Sequence, residues 1–313
     1  MIRAAWATMV CIGVVSGVVR TTCISGWALE SVASVRTICI AGSSEGQPGR
    51  GGVSRWTIES ANRLARIEPA SAEWKLKWSP DPGSKILGLG AFEGVEDDRA
   101  NSHTGVKHIY IEGANYRFDM HVVDRDGSDR QRNEVKGMRI AGDKDLIIEK
   151  GQSWRYTYSM FIPRSLTATT AFTHVMQQKT VSDLGSSGGP IVTLSLHVHD
   201  NQPSLELRLQ TSDDAFNPEE FNPIPLAPLQ DKWIDVEFEF TFDDAPRGSA
   251  RMIVRDGSKV VTDKTRTGID LFRDNEGAHP RVRPKWGIYR SIKSAGLQDT
   301  YLLVTNMKAY QKQ

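Results

Sequence analysis

From residue 107 onward the chain alternates apolar and polar residues in short runs, and no stretch keeps up the three-to-four spacing of a long helix. Val, Ile, Tyr, Phe and Trp crowd these runs, and Gly, Pro, Asn and Asp separate them, which is the pattern of antiparallel strands joined by turns. The alternation predicts strands at 107–112, 117–123, 132–139, 153–162, 171–179, 191–199, 204–210, 233–242, 250–255, 285–290 and 301–309. Asp200-Asn201 and Asp256-Gly257 sit where tight hairpin turns belong. Helical character is confined to 57–66, and the four prolines between 217 and 228 make that stretch an ordered surface loop, because proline cannot donate to a ladder. So many strands without helices bury their apolar faces as two packed sheets. The expected fold is an all-β, two-sheet antiparallel β-sandwich.

The remaining sequence changes this picture only at the N-terminus. Residues 1–55 read as a signal-like segment followed by a Gly/Ser-rich linker, and 56–313 as one sandwich domain. The first part opens with Met-Ile-Arg and an apolar run from Ala4 to Val19, resembling a secretory signal, although no clean small-x-small cleavage site follows. Export is the expectation, with a membrane anchor or a non-native extension as the alternatives. The linker composition is clearest at 43–52. The three cysteines, Cys11, Cys23 and Cys39, all precede the body, which therefore has no thiol for a disulfide, a zinc site or a nucleophile. With 39 basic and 38 acidic residues the net charge is +1, so the global field selects neither nucleic acid nor an anionic membrane. A monomer is expected, and any charge selectivity must be local.

Three segments carry candidate chemistry. On a strand, Arg132-Asn133-Glu134-Val135-Lys136 presents Arg132, Glu134 and Lys136 on one face. In Thr173 to Lys179, the residues Thr173, Val175, Gln177 and Lys179 share a face, and His174 falls on the opposite one unless a bulge intervenes. In Lys285 to Arg290, Lys285, Gly287 and Tyr289 lie on one side, and Trp286, Ile288 and Arg290 on the other.

In these segments the chain resembles the jelly-roll polysaccharide lyases, a group that includes alginate lyases, heparin lyase I and fungal glucuronan lyases. Alginate lyases of this kind carry an Arg-Thr/Ser-Glu-Leu-Arg strand, a Gln-Ile/Val-His strand and a late Tyr-Phe-Lys-Ala-Gly-x-Tyr-x-Gln strand, all lining the substrate cleft. Arg132 and Glu134 match the first strand, with Lys136 replacing its second Arg. Lys285 and Tyr289 keep the separation of the third, and Gln177 matches the Gln of the second, but Lys179 stands where that strand has His. The resemblance implies a concanavalin-like β-jelly roll and cleavage of a uronic-acid polymer by β-elimination.

That reaction asks for what these positions supply. The proton α to a uronate carboxylate becomes removable only if cationic or hydrogen-bonding groups stabilise the developing charge. Arg132 and Gln177 suit that role, and Lys136 can bind a neighbouring uronate. Tyr289, set among cations, can act as acid, base or both. For a separate base the candidates are Lys179, His174, His197 and His199. Along 191–199, Thr193, Ser195, His197 and His199 form a polar face, and the following strand adds Glu206, Arg208 and Gln210, so the substrate-binding set is Glu134, Lys136, His197, His199, Arg208, Lys285 and Arg290.

Plainer readings stand beside these. Arg132 and Glu134 can be a cross-strand charge pair, and His197 with His199 can be ordinary exposed strand histidines. Asp124 to Asp129 has three carboxylates around Gly127, like a short calcium turn, but lacks the late bidentate Glu of an EF-hand; calcium is optional and no other cofactor is implied. Trp233-Ile234-Asp235-Val236-Glu237 approaches the Glu-x-Asp-x-Glu strand of sandwich glycoside hydrolases, with Trp replacing the first Glu. The rival functions are a non-catalytic, lectin-like carbohydrate-binding sandwich and a sandwich glycoside hydrolase.

Overall fold

A computed structural model describes residues 73–84, 88–140, 144–182, 189–210, 219–274 and 277–313, together with two short strands near the N-terminus. The chain divides between Glu68 and Pro69 into two units. In the first, β1 (Ile12–Val15) pairs antiparallel with β2 (Val18–Thr21). The expected linker at 43–52, the boundary at 55/56 and the helical stretch at 57–66 lie outside the described residues.

The second unit is a two-sheet sandwich. Its early strands are β3 (Trp74–Trp78), β4 (Gly94–Glu96), β5 (Ile109–Glu112), β6 (Asn115–Met120) and β7 (Arg130–Lys136). A small pair, β8 (Arg139–Ile140) and β9 (Lys144–Asp145), precedes β10 (Ser153–Phe161), β11 (Thr173–Val181), β12 (Val192–His199) and β13 (Gln202–Leu209). The last are β14 (Glu219–Pro225), β15 (Trp233–Thr241), β16 (Gly248–Asp256), β17 (Lys259–Ile269), β18 (Arg281–Ser291) and β19 (Thr300–Lys312). One sheet runs β17-β16-β15-β10-β19-β6-β5, with β3 also pairing β19, and the other runs β14-β13-β12-β11-β18-β7-β4. All the ladders within these two sheets are antiparallel. Among the described residues the only helical pieces are two 3-10 turns, Gly88–Ala91 and Ala227–Leu229.

The alternation explains the layers. Trp154, Tyr156 and Met160 of β10 and Phe238 and Phe240 of β15 face inward, meeting Leu194, Leu196, Leu205, Leu207 and Trp286 from the seven-stranded sheet. Trp286 stacks on Trp78 with ring centroids 5.6 Å apart, which ties β18 to β3 across the core. Asp200 and Asn201 both adopt positive φ, 47° and 61°, the geometry of a two-residue turn whose twist matches that of its strands.

The stretch expected as a proline-rich loop instead forms β14, at the edge of the seven-stranded sheet. Pro223 and Pro225 are compatible with a strand there because an edge has one side with no ladder to complete. Three other strands of the two large sheets escaped the alternation reading. β3 and β4 are very short, and β17 is exposed along nearly its whole length.

Candidate active site

The outward face of the seven-stranded sheet collects the candidate residues in rows that run across the strands. In the first row Arg132 of β7 pairs with Tyr289 of β18, Tyr289 with His174 of β11, His174 with Ser195 of β12, and Ser195 with Glu206 of β13. In the second, Lys136, Lys285, Gln177, Thr193 and Arg208 follow one another in the same way. Simple alternation cannot put His174 and Gln177 on one face. The ladders shift register between His174 and Met176 against both neighbours, so Val175 and Met176 both point into the core while His174 and Gln177 both point outward.

Gly287 lies between the rows with φ of +135°. A Cβ there would come within 2.3 Å of the Asn133 carbonyl oxygen and 2.8 Å of Glu134 Cα, so only glycine lets β18 approach β7 this closely.

Tyr289 is packed on three sides. Arg130 Nη1 donates to its hydroxyl at 2.6 Å, the Arg132 guanidinium sits 3.9 Å above its ring centroid, and Phe172 lies 4.9 Å away, centroid to centroid. The His174 ring is 5.8 Å from that of Tyr289, with Nδ1 2.9 Å from Ser195 Oγ. Burial, reinforced by Arg208, Arg132 and His197, pushes the His174 pKa down to about 3, so the imidazole is neutral. A hollow of about 410 Å³ opens beside this pair, lined by Phe172, His174, Ser195, His197, Arg208 and Lys293 among others.

Beneath the second row is a buried ion cluster. Lys285 Nζ lies 2.5 Å from Glu96 and 2.7 Å from Glu134, and Arg132 Nη1 lies 3.1 Å from Glu134. Gln177 donates its amide to Glu134 at 2.5 Å. Burial alone would raise the Glu96 pKa, but Lys285, Arg132 and Lys136 outweigh it and hold the value at about 2. Arg132 also donates through Nε to Asp126 at 2.8 Å, while its Nη2 makes no hydrogen bond to any described residue. Glu134 and Lys285, expected to touch sugar, thus form a floor that fixes the groups above them. Lys136 is partly exposed beside them, 3.3 Å from Glu96.

Two further expectations need correction. Lys179 faces outward but stands opposite Arg283, six residues from Tyr289 along β18. At ~3.3 Å per residue that is about 20 Å, so Lys179 and Tyr289 do not share one pocket. Arg290 faces the opposite way from Tyr289, is 1% exposed, and donates to Gln131 Oε1 at 2.7 Å and to the Gln298 carbonyl. Burial lowers its pKa to about 10, and it contacts no groove.

Other candidates sit at the margins. His199 pairs with Glu220 and Asp200 at the far end of β12. His197, Glu206 and Glu220 bring ligand atoms within 4.8 Å of one another, a set able to hold a cation beside the hollow. The carboxylates of the expected calcium turn take separate partners: Asp124 faces histidines, Asp126 binds Arg99 and Arg132, and Asp129 binds Arg130. Asp235 and Glu237, the hydrolase-like pair, lie on the other sheet, bound to Ser159 and to Arg155 and Arg255.

Sequence reading missed Arg130 and Glu96. Arg130 was within reach, being two residues before Arg132 and so on the same face. Glu96 gave no signal, since a three-residue edge strand has too few positions for a period.

A tyrosine and a histidine thus lie beside guanidinium groups on the polar face of a jelly-roll sandwich. The polysaccharide lyase family profile matches residues 87–304, and the chain belongs to that family. Among solved structures, a family 7 alginate lyase A1-II′ variant in complex with its product is similar, with TM-score 0.53 and 11% identity over 75% of this chain and 100% of that one. The PL-14 alginate lyase of Aplysia kurodai has 13% identity over 77% and 99%, with TM-score 0.49. The endo-β-1,4-glucuronan lyase of the fungus Trichoderma reesei has 11% identity over 76% and 94%, with TM-score 0.48. At such identities the likeness shows the fold alone. No curated protein sequence matches the chain.

Proposed function

We propose that this lyase cleaves a uronic-acid polymer by β-elimination, with Tyr289 as its proton-transfer group and His174 beside it. The observation that carries this reading is the row Arg132–Tyr289–His174, made possible by the register shift at Val175. In the reaction the C5–H bond and the C4–O bond break, a C4=C5 double bond forms, and the proton ends on the leaving oxygen. The free Nη2 edge of Arg132 is placed to take the uronate carboxylate as charge moves onto it. An imidazole whose conjugate acid has a pKa near 3 is a weak base, which favours Tyr289 as the group that takes the C5 proton and returns it to the glycosidic oxygen. Arg130, donating to the phenol oxygen, steadies negative charge there. His174, held by Ser195, orients the sugar. Lys136 and Arg208, at opposite ends of the second row, suit neighbouring uronates.

A polymeric substrate fits the export expected from the N-terminal sequence. The test is incubation with glucuronan, alginate, pectin and heparin-type polymers while following the ultraviolet absorbance of the unsaturated product. One of them is expected to give that absorbance, and Tyr289→Phe is expected to abolish it while polymer binding survives. New reducing ends without absorbance would sink the elimination reading in favour of hydrolysis, and a fully active Tyr289→Phe would remove Tyr289 from the chemistry.

A further inference from the structure

Away from the site, three histidines and an aspartate converge at the end of the sheets where β4, β5 and β6 hand over to β7. His103 Nδ1 lies 3.0 Å from Asp124 Oδ1, His108 Nε2 3.1 Å from the same oxygen, and His121 Nδ1 3.4 Å from Oδ2. The three ring centroids are 4.9–5.5 Å apart, and the four ligand atoms lie within 4.8 Å of one another. His108 and Asp124 are buried, at 0% and 2% exposure.

Hydrogen-bond accounting shows that this arrangement is incomplete as it stands. His108 Nδ1 is 2.8 Å from Asp97 Oδ1, a carboxylate that can only accept, so the ring's proton belongs on Nδ1. Nε2, 3.1 Å from Asp124 Oδ1, then needs a cation between itself and that carboxylate, whether a second proton or a metal ion. His121 Nδ1 is buried with no hydrogen-bond partner at all. One divalent cation resolves all of these contacts together. Ligand atoms ~2.0–2.1 Å from a tetrahedral ion lie about 3.3 Å from one another; the three imidazole nitrogens lie 3.0–3.4 Å from one or other Asp124 oxygen, and one ligand atom from each residue falls within 4.8 Å of the rest. Asp97 behind His108 is the usual carboxylate behind a metal-bound imidazole.

We infer that His103, His108, His121 and Asp124 form a structural zinc site. Three imidazoles and one carboxylate match zinc better than calcium or magnesium, which prefer all-oxygen shells. Four protein ligands close the coordination sphere, so the ion holds structure and does not present an open position for chemistry. What it holds is the 121–124 turn, whose carbonyls at His121, Val122 and Asp124 all accept from the buried Gln131 amide. Two residues beyond Asp124, Asp126 grips Arg99 and Arg132. The ion thereby braces the entry into β7.

The test uses the full chain, stripped with a strong chelator and then titrated with zinc, cobalt(II) and calcium. One equivalent of zinc is expected to stay bound through gel filtration, and cobalt is expected to give the intense visible bands of a four-coordinate centre. Zinc at one hundred times Kd is expected to raise Tm by about 5 °C or more. His103 is, with His121, one of two partly exposed ligands, so His103→Ala is expected to keep the wild-type circular dichroism while zinc affinity falls at least about tenfold. His279→Ala, on a distant exposed histidine, is expected to bind like wild type. Less than about a tenth of an equivalent of zinc on folded protein, weak six-coordinate cobalt bands, a preference for calcium, or undiminished zinc binding in His103→Ala would each overturn the assignment.

Discussion

Glu96 gives the most direct test of how the floor of the site is built. Its carboxylate lies 2.5 Å from Lys285 Nζ, 3.3 Å from Lys136 Nζ and 3.6 Å from Arg132 Nη1. Burial pushes its pKa up, the three cations pull it down further, and the result is about 2 against an ordinary 4.5. At ~1.4 kcal/mol for each pH unit separating folded and unfolded values, the ionised carboxylate contributes about 3 kcal/mol to stability. Because the folded value is the lower one, that contribution is complete above about pH 4.5 and disappears as pH falls towards about 2. Glu96→Gln keeps the shape and removes the titration. Urea unfolding of both proteins at several pH values from about 6 down to about 2 isolates the effect of this cluster, since the carboxylates that share no cation with Glu96 cancel in the difference. The wild-type advantage is expected to shrink by about 3 kcal/mol across that range. A difference that stays constant with pH would refute the reasoning.

Other perturbations address single features. Gly287→Ala puts a Cβ against the Asn133 carbonyl at positive φ and is expected to cost at least ~2 kcal/mol in urea unfolding; a neutral substitution would mean that β18 can move off β7. Arg290→Ala removes a buried arginine and leaves the Gln131 oxygen without its donor, so stability is expected to drop by ~2–4 kcal/mol with KM within about threefold of wild type. Unchanged stability with a large rise in KM would put Arg290 in the groove after all. Because the His174 pKa is held near 3, kcat/KM is expected to show no acid limb near ~6.5 assignable to that histidine. Such a limb in the wild type, absent from His174→Gln, would contradict its burial. Lys136→Ala is expected to raise KM about tenfold with kcat nearly intact, the pattern of lost uniform binding. An equal loss in kcat would bring Lys136 into the reacting sugar's own subsite.

Much of the sandwich was legible because residues that alternate in sequence alternate in space. Trp154 to Met160 and Val192 to Leu196 gave away their strands by that rule alone. The rule is local, and it failed wherever structure depends on a neighbour. At His174 the period breaks because β11 shifts register against β12 and β18, and neither shift is written within β11 itself. Lys179 and Arg290 were misjudged for complementary reasons. Parity was right for Lys179 but said nothing of distance along the strand, whereas for Arg290 parity already put it on the Trp286 side, away from Tyr289, and the assignment to the substrate-binding set went against it. The histidines of the inferred metal site gave no motif, since two separate loops, β4–β5 and β6–β7, bring them together and only the folded sandwich makes them neighbours.

The edge position of β14 has a consequence for how this protein behaves among copies of itself. An uncovered strand is a template on which another chain can extend the sheet. Neither Pro223 nor Pro225 carries an amide hydrogen to offer an arriving strand, and Asn222 breaks the local geometry with φ of 59°. At the opposite end of the same sheet, β4 has only three residues to present. The far edge of the other sheet, β17, carries Lys259, Asp263, Lys264 and Arg266. Replacing the two prolines with Val or Thr would give that border two more amide hydrogens to offer, and the expected penalty is aggregation during folding and storage.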